Sequence, residues 1–265
     1  MTTAESAESA SAEPQWVPPH SEIRVDVQGP IVTITIDRDH KRNSLTAQVC
    51  RDIAGVVETA ATQPQRRVVL LRGAGRAFCA GADLSGQHQE GAFHEQLRRM
   101  LRTIESTRLI VIADVHGAAV GAGMQLAMAA DLRVVGERGW FLIPPVKLGI
   151  AVDAWTVRRI RVLLGGARAR TMLLAAERME QAEAQRCGLA SYVGDSAYAE
   201  EVARKIATFA PLSLAYHKAV LNDDENQSGL SAAQQQQYDQ VWASEDAAEA
   251  GRARAEKREP VFRGR

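Results

Sequence analysis

The sequence predicts an α/β fold, and two observations carry that prediction. Short runs of aliphatic and β-branched residues alternate along the chain with longer segments whose apolar residues recur at helical spacing. Two of these apolar runs lead directly into stretches made almost entirely of small residues. The length, 265 residues, is enough for one domain with a substantial core and an appendage.

The N-terminal part predicts a tail, a hairpin and a helix. Residues 1–20 are rich in Ala, Ser, Glu and Pro and have neither a basic start nor an apolar stretch, so we expect a disordered tail rather than a signal peptide. Alternation over 22–27 and 31–36 predicts a β-hairpin. A basic turn at 38–46 then opens a helix to about residue 61, with Ser44 or Thr46 as its N-cap.

The middle of the chain contains the two small-residue stretches. A strand at 67–71 leads into the first, and a strand at 109–113 leads into the second. The second begins as a small-residue turn at 117–123 and continues as a helix over 124–130. Glycine lets a ligand approach the backbone closely, and the unpaired amides at a helix start suit an oxyanion or another anion. The alternative is that the second stretch only packs the helix on the strand.

The remaining elements follow from periodicity and turn residues. Residues 85–91 have no apolar period and predict a mobile loop. We expect strands at 132–135 and 140–143. We expect helices over 93–107, 155–164, 167–175, 181–187, 197–210 and 212–221, and a final helical segment over 232–256.

Charge and cysteine content narrow the function classes. Lysine plus arginine and aspartate plus glutamate number 32 each, so nothing calls for nucleic acid or an acidic membrane surface as a partner. Cys50, Cys79 and Cys187 form no metal pattern and no disulfide framework, which favours a reducing cytoplasm. No apolar run reaches the roughly 18 residues of a membrane span.

The two small-residue stretches carry a family resemblance. They read GAGRAFCAGADL at 73–84 and GAGMQ at 121–125, and together they resemble the crotonase (enoyl-CoA hydratase/isomerase) superfamily over residues 22–262. The resemblance implies a crotonase spiral of ββα units at 21–210. It also implies a C-terminal helical trimerisation region at 211–265 that covers the site, and a homo-oligomer that is a trimer or a dimer of trimers.

The resemblance also implies the ligand, a CoA thioester, with no cofactor and no metal. Backbone amides of Ala80 and Ala122 are expected to form the oxyanion hole for the thioester oxygen. Arg42 and Lys257 are expected at the CoA phosphates; the alternative for Arg42 is a solvated charged turn. The other positions expected to bind the ligand are Ala82, Asp83, Leu84, Gly121 and Trp155.

The family's two catalytic glutamates are missing. Their positions hold Gln125 and Pro145. An amide orients a water but does not take its proton at neutral pH, and proline does neither. With Gln125 and the stretch GIAVDAW at 149–155, the sequence resembles a branch of hydratase homologues that binds acyl-CoA. That branch is linked to fatty-acid (mycolic-acid) elongation, which implies synthesis enzymes as partners.

One carboxylate remains near the expected site. Asp153 matches a position at which family isomerases carry a catalytic aspartate; the alternative is that it caps the following helix or pairs with an arginine. Asp114 interrupts an apolar strand and calls for a partner such as arginine. His116 precedes the glycine turn, where we expect a structural hydrogen bond rather than a general base.

Four interpretations follow from these residues. We favour an enoyl-CoA hydratase-family protein that binds acyl-CoA thioesters with its hydratase chemistry lost. The alternatives are an active hydratase or an isomerase using Asp153, and an interaction subunit of a lipid-synthesis complex. A dinucleotide-binding dehydrogenase is disfavoured, because Phe78 stands in place of the third glycine after Gly73 and Gly75.

Overall fold

The computed structural model describes residues 16–17, 20–83, 90–223 and 231–265. Most of the predicted tail and most of the predicted loop at 85–91 lie outside these residues. The described residues form nine strands, β1 (Ile23–Gln28), β2 (Ile31–Ile36), β3 (Val68–Gly73), β4 (Ile110–Val115), β5 (Ala118–Val120), β6 (Leu132–Val135), β7 (Trp140–Leu142), β8 (Met179–Glu180) and β9 (Tyr192–Val193).

Eleven α-helices connect or follow the strands within the described residues. They are α1 (Ala47–Thr62), α2 (Glu90–Ser106), α3 (Ala122–Ala129), α4 (Pro145–Leu148), α5 (Ala154–Leu164), α6 (Gly166–Leu174), α7 (Gln181–Cys187), α8 (Ser196–Ile206), α9 (Pro211–Leu221), α10 (Ala232–Ala243) and α11 (Glu245–Glu256). The prediction of an α/β fold is therefore confirmed.

The main sheet has six strands in the order β1-β2-β3-β4-β6-β9. The predicted hairpin of β1 and β2 is antiparallel, and every later pairing in this sheet is parallel. Parallel strands are covered on both faces, which explains the apolar run Ile110–Ala113 with which β4 begins. Its Val111 and Val115 face a core shared with α1 and α2, whereas Ile110 and Ile112 face α8.

The second sheet corrects one sequence prediction. Residues 118–120 were predicted as part of a turn, but they form β5, which pairs in parallel with β7. Cys79 makes an isolated parallel bridge to Ala119, so β5 lies between the first small-residue stretch and β7. The two small-residue stretches are consequently held side by side.

Local signals account for several helix boundaries. Thr46 rather than Ser44 is the N-cap of α1, because its hydroxyl accepts a hydrogen bond from the Val49 amide at 3.1 Å. The predicted single helix over 232–256 is two helices. The chain is extended at Ser244, whose hydroxyl accepts from the Ala247 amide at 3.1 Å and so caps the next helix. Within the described residues, no helix combines the length and the apolar character needed to cross a membrane.

Candidate functional site

The backbones of the two small-residue stretches lie close together at residues 79–83 and at the start of α3. Gly81 has a φ of 109° and Gly121 a φ of 53°, both in the region that favours glycine. A Cβ atom on Gly123 would lie 2.1 Å from the carbonyl oxygen of Cys79, so no larger residue fits there. These glycines set the distance between the start of α3 and the segment at 79–83.

The Ala122 amide points away from its own helix. The carbonyl of Gly121 accepts a hydrogen bond from the Gln125 amide at 3.0 Å, and so it points along α3. In a trans peptide the N–H opposes the carbonyl, so the Ala122 N–H points outward from the helix start. It carries the positive end of the helix dipole with it.

The expectation that the Ala80 amide is the second donor of the oxyanion hole is wrong. Its amide already donates to the carbonyl of Arg42 at 3.0 Å. The next carbonyl, that of Gly81, accepts from the Leu45 amide at 2.7 Å, so the N–H of the same peptide, on Ala82, points away from Leu45. Within the described part of the chain, neither Ala82 nor Ala122 donates its amide to a protein acceptor. The pair of outward amides is therefore Ala82 and Ala122.

Both residues, Ala82 and Ala122, line a cavity of about 470 Å³. Every described lining residue lies between Ala80 and Asp153, so the C-terminal region 211–265, predicted to cover the site, contributes none of them. The lining is mainly apolar and includes Val120, Ile143 and Val152. An apolar cavity with a few convergent polar groups is the usual form of a small-molecule site.

Gln125 and Pro145 both line this cavity. Gln125 is only 8% exposed, and its amide nitrogen donates to the hydroxyl of Thr156 at 2.6 Å. Pro145 is the first residue of α4, a single helical turn that the sequence did not predict. Neither side chain can accept a proton from water at neutral pH.

Asp153 lines the cavity and also caps α5. Its carboxylate accepts a hydrogen bond from the Thr156 amide at 2.8 Å. Thr156 thus fixes both Gln125, through its hydroxyl, and Asp153, through its amide. Trp155 is not among the described lining residues, and its indole nitrogen donates to Glu105 at 3.0 Å instead.

A hydrogen-bonded clamp joins the basic turn to the segment at 74–83. Arg38 donates to the carboxylate of Asp83 at 2.8 Å. The buried amide of Asn43 donates to the carbonyls of Ala74 at 2.8 Å and Ala77 at 2.7 Å. We call Arg38, Asn43 and Asp83 the clamp. Asp83 was predicted to bind the ligand. Arg38 and Asn43 were not predicted as site residues, because the sequence of a basic turn does not show which groups its side chains bind.

The remaining predicted ligand positions are exposed or undescribed. Arg42 is exposed with a φ of 51°, next to the clamp; its amide donates to the Asp39 carbonyl at 2.8 Å, and its carbonyl accepts from the Ala80 amide. Lys257 is exposed just beyond α11. Leu84 lies outside the described residues. Helix α2 contributes lining residues that the sequence interpretation did not name, His94 and Arg98 among them.

The structure gives the outcome of two other predictions, those for Asp114 and His116. Asp114 is buried and lies 3.4 Å from the Nε of Arg72, as expected of a strand carboxylate with an arginine partner. His116 makes a structural hydrogen bond to the carbonyl of Gly75 at 3.2 Å. Burial raises the pKa of the Cys79 thiol to about 12, so it is neutral and not a nucleophile. The described residues contain no group of three His, Cys, Asp or Glu suited to a metal ion.

Comparison with known proteins gives consistent matches over nearly the whole chain. A sequence model described as enoyl-CoA hydratase/isomerase matches residues 26–265. The chain is 39% identical over 234 residues to the protein named probable enoyl-CoA hydratase echA6 of Mycobacterium tuberculosis, covering 88% of this chain and 96% of the relative. It is 32% identical over 255 residues to 2,3-dehydroadipyl-CoA hydratase of Escherichia coli, covering 92% and 100%. An enoyl-CoA hydratase/carnithine racemase structure from Magnetospirillum magneticum has a TM-score of 0.86 at 29% identity, covering 96% of this chain and 100% of that one.

Proposed function

This chain belongs to the enoyl-CoA hydratase/isomerase family, and from that premise we propose that it binds acyl-CoA thioesters but has lost hydratase chemistry. One observation carries the proposal. The family's two glutamate positions, Gln125 and Pro145, line the cavity and bear no group that can act as an acid or base. The two outward amides border the same cavity and remain.

The two amides supply the binding half of the site. In the proposed complex the thioester oxygen accepts hydrogen bonds from Ala82 and Ala122, at the positive end of the α3 dipole. Alanine at these positions does not matter, because every residue except proline carries a backbone N–H. The apolar lining takes the acyl chain.

The missing carboxylates remove the chemical half. Adding water to an enoyl thioester requires a group that takes a proton from water and a group that delivers one to carbon. One positioned acid or base contributes about 10²- to 10⁴-fold to the rate. The two losses do not simply multiply, since such groups act together.

The CoA end lies outside the cavity in this proposal. Arg42 and Lys257, both exposed, meet the CoA phosphates. The protein assembles as a trimer or a dimer of trimers in the cytoplasm and hands acyl chains to fatty-acid elongation enzymes. This part rests on the likeness of residues 149–155 to an acyl-CoA-binding branch of the family.

Isomerisation is the second candidate, and the position of Asp153 in the cavity lining favours it. A catalytic aspartate must reach the substrate carbons and act as a base near neutral pH. In the structure its carboxylate accepts a hydrogen bond from the Thr156 amide and so serves as the N-cap of α5. We therefore keep binding as the primary proposal.

The test measures turnover and binding on one preparation. Hydration of crotonyl-CoA is followed by the loss of enoyl absorbance, and acyl-CoA affinity is measured by calorimetry. We expect turnover at least about 10³-fold below that of a competent relative, from the acid–base magnitude above, with binding retained. Turnover in the ordinary range of about 1–10³ per second would contradict the proposal. A folded protein that binds no acyl-CoA would contradict it as well.

Asp153→Asn decides between binding and isomerisation. Under the binding proposal, neither the parent nor the variant moves a double bond. Asp195→Asn is the matched control, because Asp195 caps α8 in the same way, through the Tyr198 amide at 2.9 Å, and lies outside the cavity lining. Isomerisation that is present in the parent and in Asp195→Asn but absent in Asp153→Asn would establish an isomerase.

A further inference from the structure

Helix α2 places an exposed arginine, Arg98, at the edge of a cavity whose lining is otherwise largely apolar. Helix α2 presents Phe93 and Leu97 to the cavity, and beside them His94 and Arg98. Phe93 and Leu97 are one helical turn apart, as are His94 and Arg98, so the helix shows two adjacent rows, one apolar and one basic. The hydratase chemistry of the family does not account for a cation on this wall.

Arg98 has no ion-pair partner in the described part of the chain. The adjacent Arg99 differs, because it points elsewhere and pairs with Glu58 at 2.9 Å. The carboxylate of Asp153, the acidic group among the described lining residues, is engaged by the Thr156 amide. Helix α2 therefore brings to the cavity lining a positive charge that makes no ion pair with a described carboxylate.

A ligand that fills the cavity comes beside this exposed arginine and displaces part of the water around it. An unbranched alkyl chain offers nothing in return, whereas a carboxylate forms paired, charge-assisted hydrogen bonds with arginine. The thioester end is held by the amides of Ala82 and Ala122, so the group that meets Arg98 belongs to the acyl chain. A ligand with a negative charge on that chain satisfies both ends of the cavity.

We propose that this protein selects CoA thioesters whose acyl chain carries a carboxylate, and that Arg98 is the residue that binds this carboxylate. The inference rests on the proposed acyl-CoA binding and adds the class of acyl chain to it. Selection acts on binding and requires no acid or base at positions 125 and 145.

The test compares ligands that differ only in the distal carboxylate. Affinities are measured by calorimetry for adipoyl-CoA against hexanoyl-CoA, and for the eight- and ten-carbon pairs, because the reach from thioester to Arg98 selects a chain length. We expect the carboxylate ligand of at least one pair to bind about tenfold more tightly, the scale of a partly exposed charge-assisted hydrogen bond. Arg98→Gln should abolish that preference and leave hexanoyl-CoA affinity within about twofold.

Arg99→Gln is the matched control, since it removes the same charge from the next position of the same helix outside the cavity. It should keep the preference. Equal affinity within every pair overturns the inference while leaving acyl-CoA binding intact. An equal loss for both ligands and for free CoA in Arg98→Gln also overturns it, because Arg98 would then serve the CoA phosphates. Failure of every ester to bind overturns the proposed function along with the inference.

Discussion

The Ala122 amide can be removed without breaking the helix that carries it. Ala122 is the first residue of α3, where an amide has no partner within the helix and where proline is favoured. The preceding residue, Gly121, has no Cβ to clash with a proline ring. Ala122→Pro should therefore change the free energy of unfolding by less than about 1 kcal/mol while deleting one donor to the thioester oxygen.

The expected loss is that of one hydrogen bond to a neutral acceptor. Such a bond contributes about 0.5–1.5 kcal/mol, so Kd for an acyl-CoA should rise about 2- to 12-fold. The assay is calorimetric binding of an acyl-CoA and of the matching S-alkyl-CoA thioether, which has a methylene in place of the carbonyl. Only the thioester should lose affinity. Ala122→Gly keeps the amide and should bind both ligands as the parent does.

Two results would refute this reasoning. An equal loss for thioester and thioether would mean that the proline ring obstructs the cavity and that the amide gives no specific contact. Unchanged affinity for both ligands would mean that the thioester oxygen does not lie at Ala122. Neither result depends on turnover, so the prediction holds whether or not the protein is an enzyme.

Two further predictions concern stability. Lys218 is 4% exposed and donates to the carbonyls of Ile104 and Leu109 and to the carboxylate of Asp131, each at 2.8 Å. Lys218→Met should therefore lower the free energy of unfolding, measured in urea, by about 3–5 kcal/mol. The exposed Lys205→Met should change stability by less than about 0.5 kcal/mol, and a similar small effect at Lys218 would contradict the buried-pair argument. Burial raises the pKa of the Cys50 and Cys79 thiols from 9.0 to about 12, so their contribution to stability is complete below pH 9 and falls as pH rises towards 12, by about 1.4 kcal/mol per pH unit for each thiol. Thiol labelling of the native protein at pH 8 should modify the half-buried Cys187 alone, and fast labelling of all three would contradict this assignment.

Most of the fold was accessible from the sequence because its sheet is covered on both faces. Continuous apolar strands and helices with one apolar face then give separate periodicities. Strand β5 was missed because its sequence shows no such periodicity. Its three small residues have no alternation, and its partner β7 lies 20 residues further along the chain. The break at Ser244 was also missed, since serine within a polar helix gives little signal before its hydroxyl is seen to cap.

The site was predictable by segment but not by atom. Counting along the motif placed the second donor at Ala80, whereas hydrogen bonds to Arg42 and Leu45, from a segment some 35 residues earlier, turn the Ala82 amide outward. Arg98 was missed because an exposed arginine on a helix reads as a solvated face. The orientation of a peptide or a side chain depends on residues that are distant in the sequence. The local sequence around Ala82 or Arg98 therefore does not show it.

In the proposed complex, the clamp positions the backbone amide that binds the thioester, whereas helix α2 contacts the acyl chain through its side chains. The clamp, Arg38, Asn43 and Asp83, fixes the loop that presents the Ala82 amide through buried hydrogen bonds, so most exchanges there disturb the whole site. Helix α2 meets the cavity through side chains such as Leu97 and Arg98, which can be exchanged one at a time. In evolution or in design, substitutions on α2 can therefore change which acyl chain the proposed site accepts, while the residues at the thioester end stay unchanged.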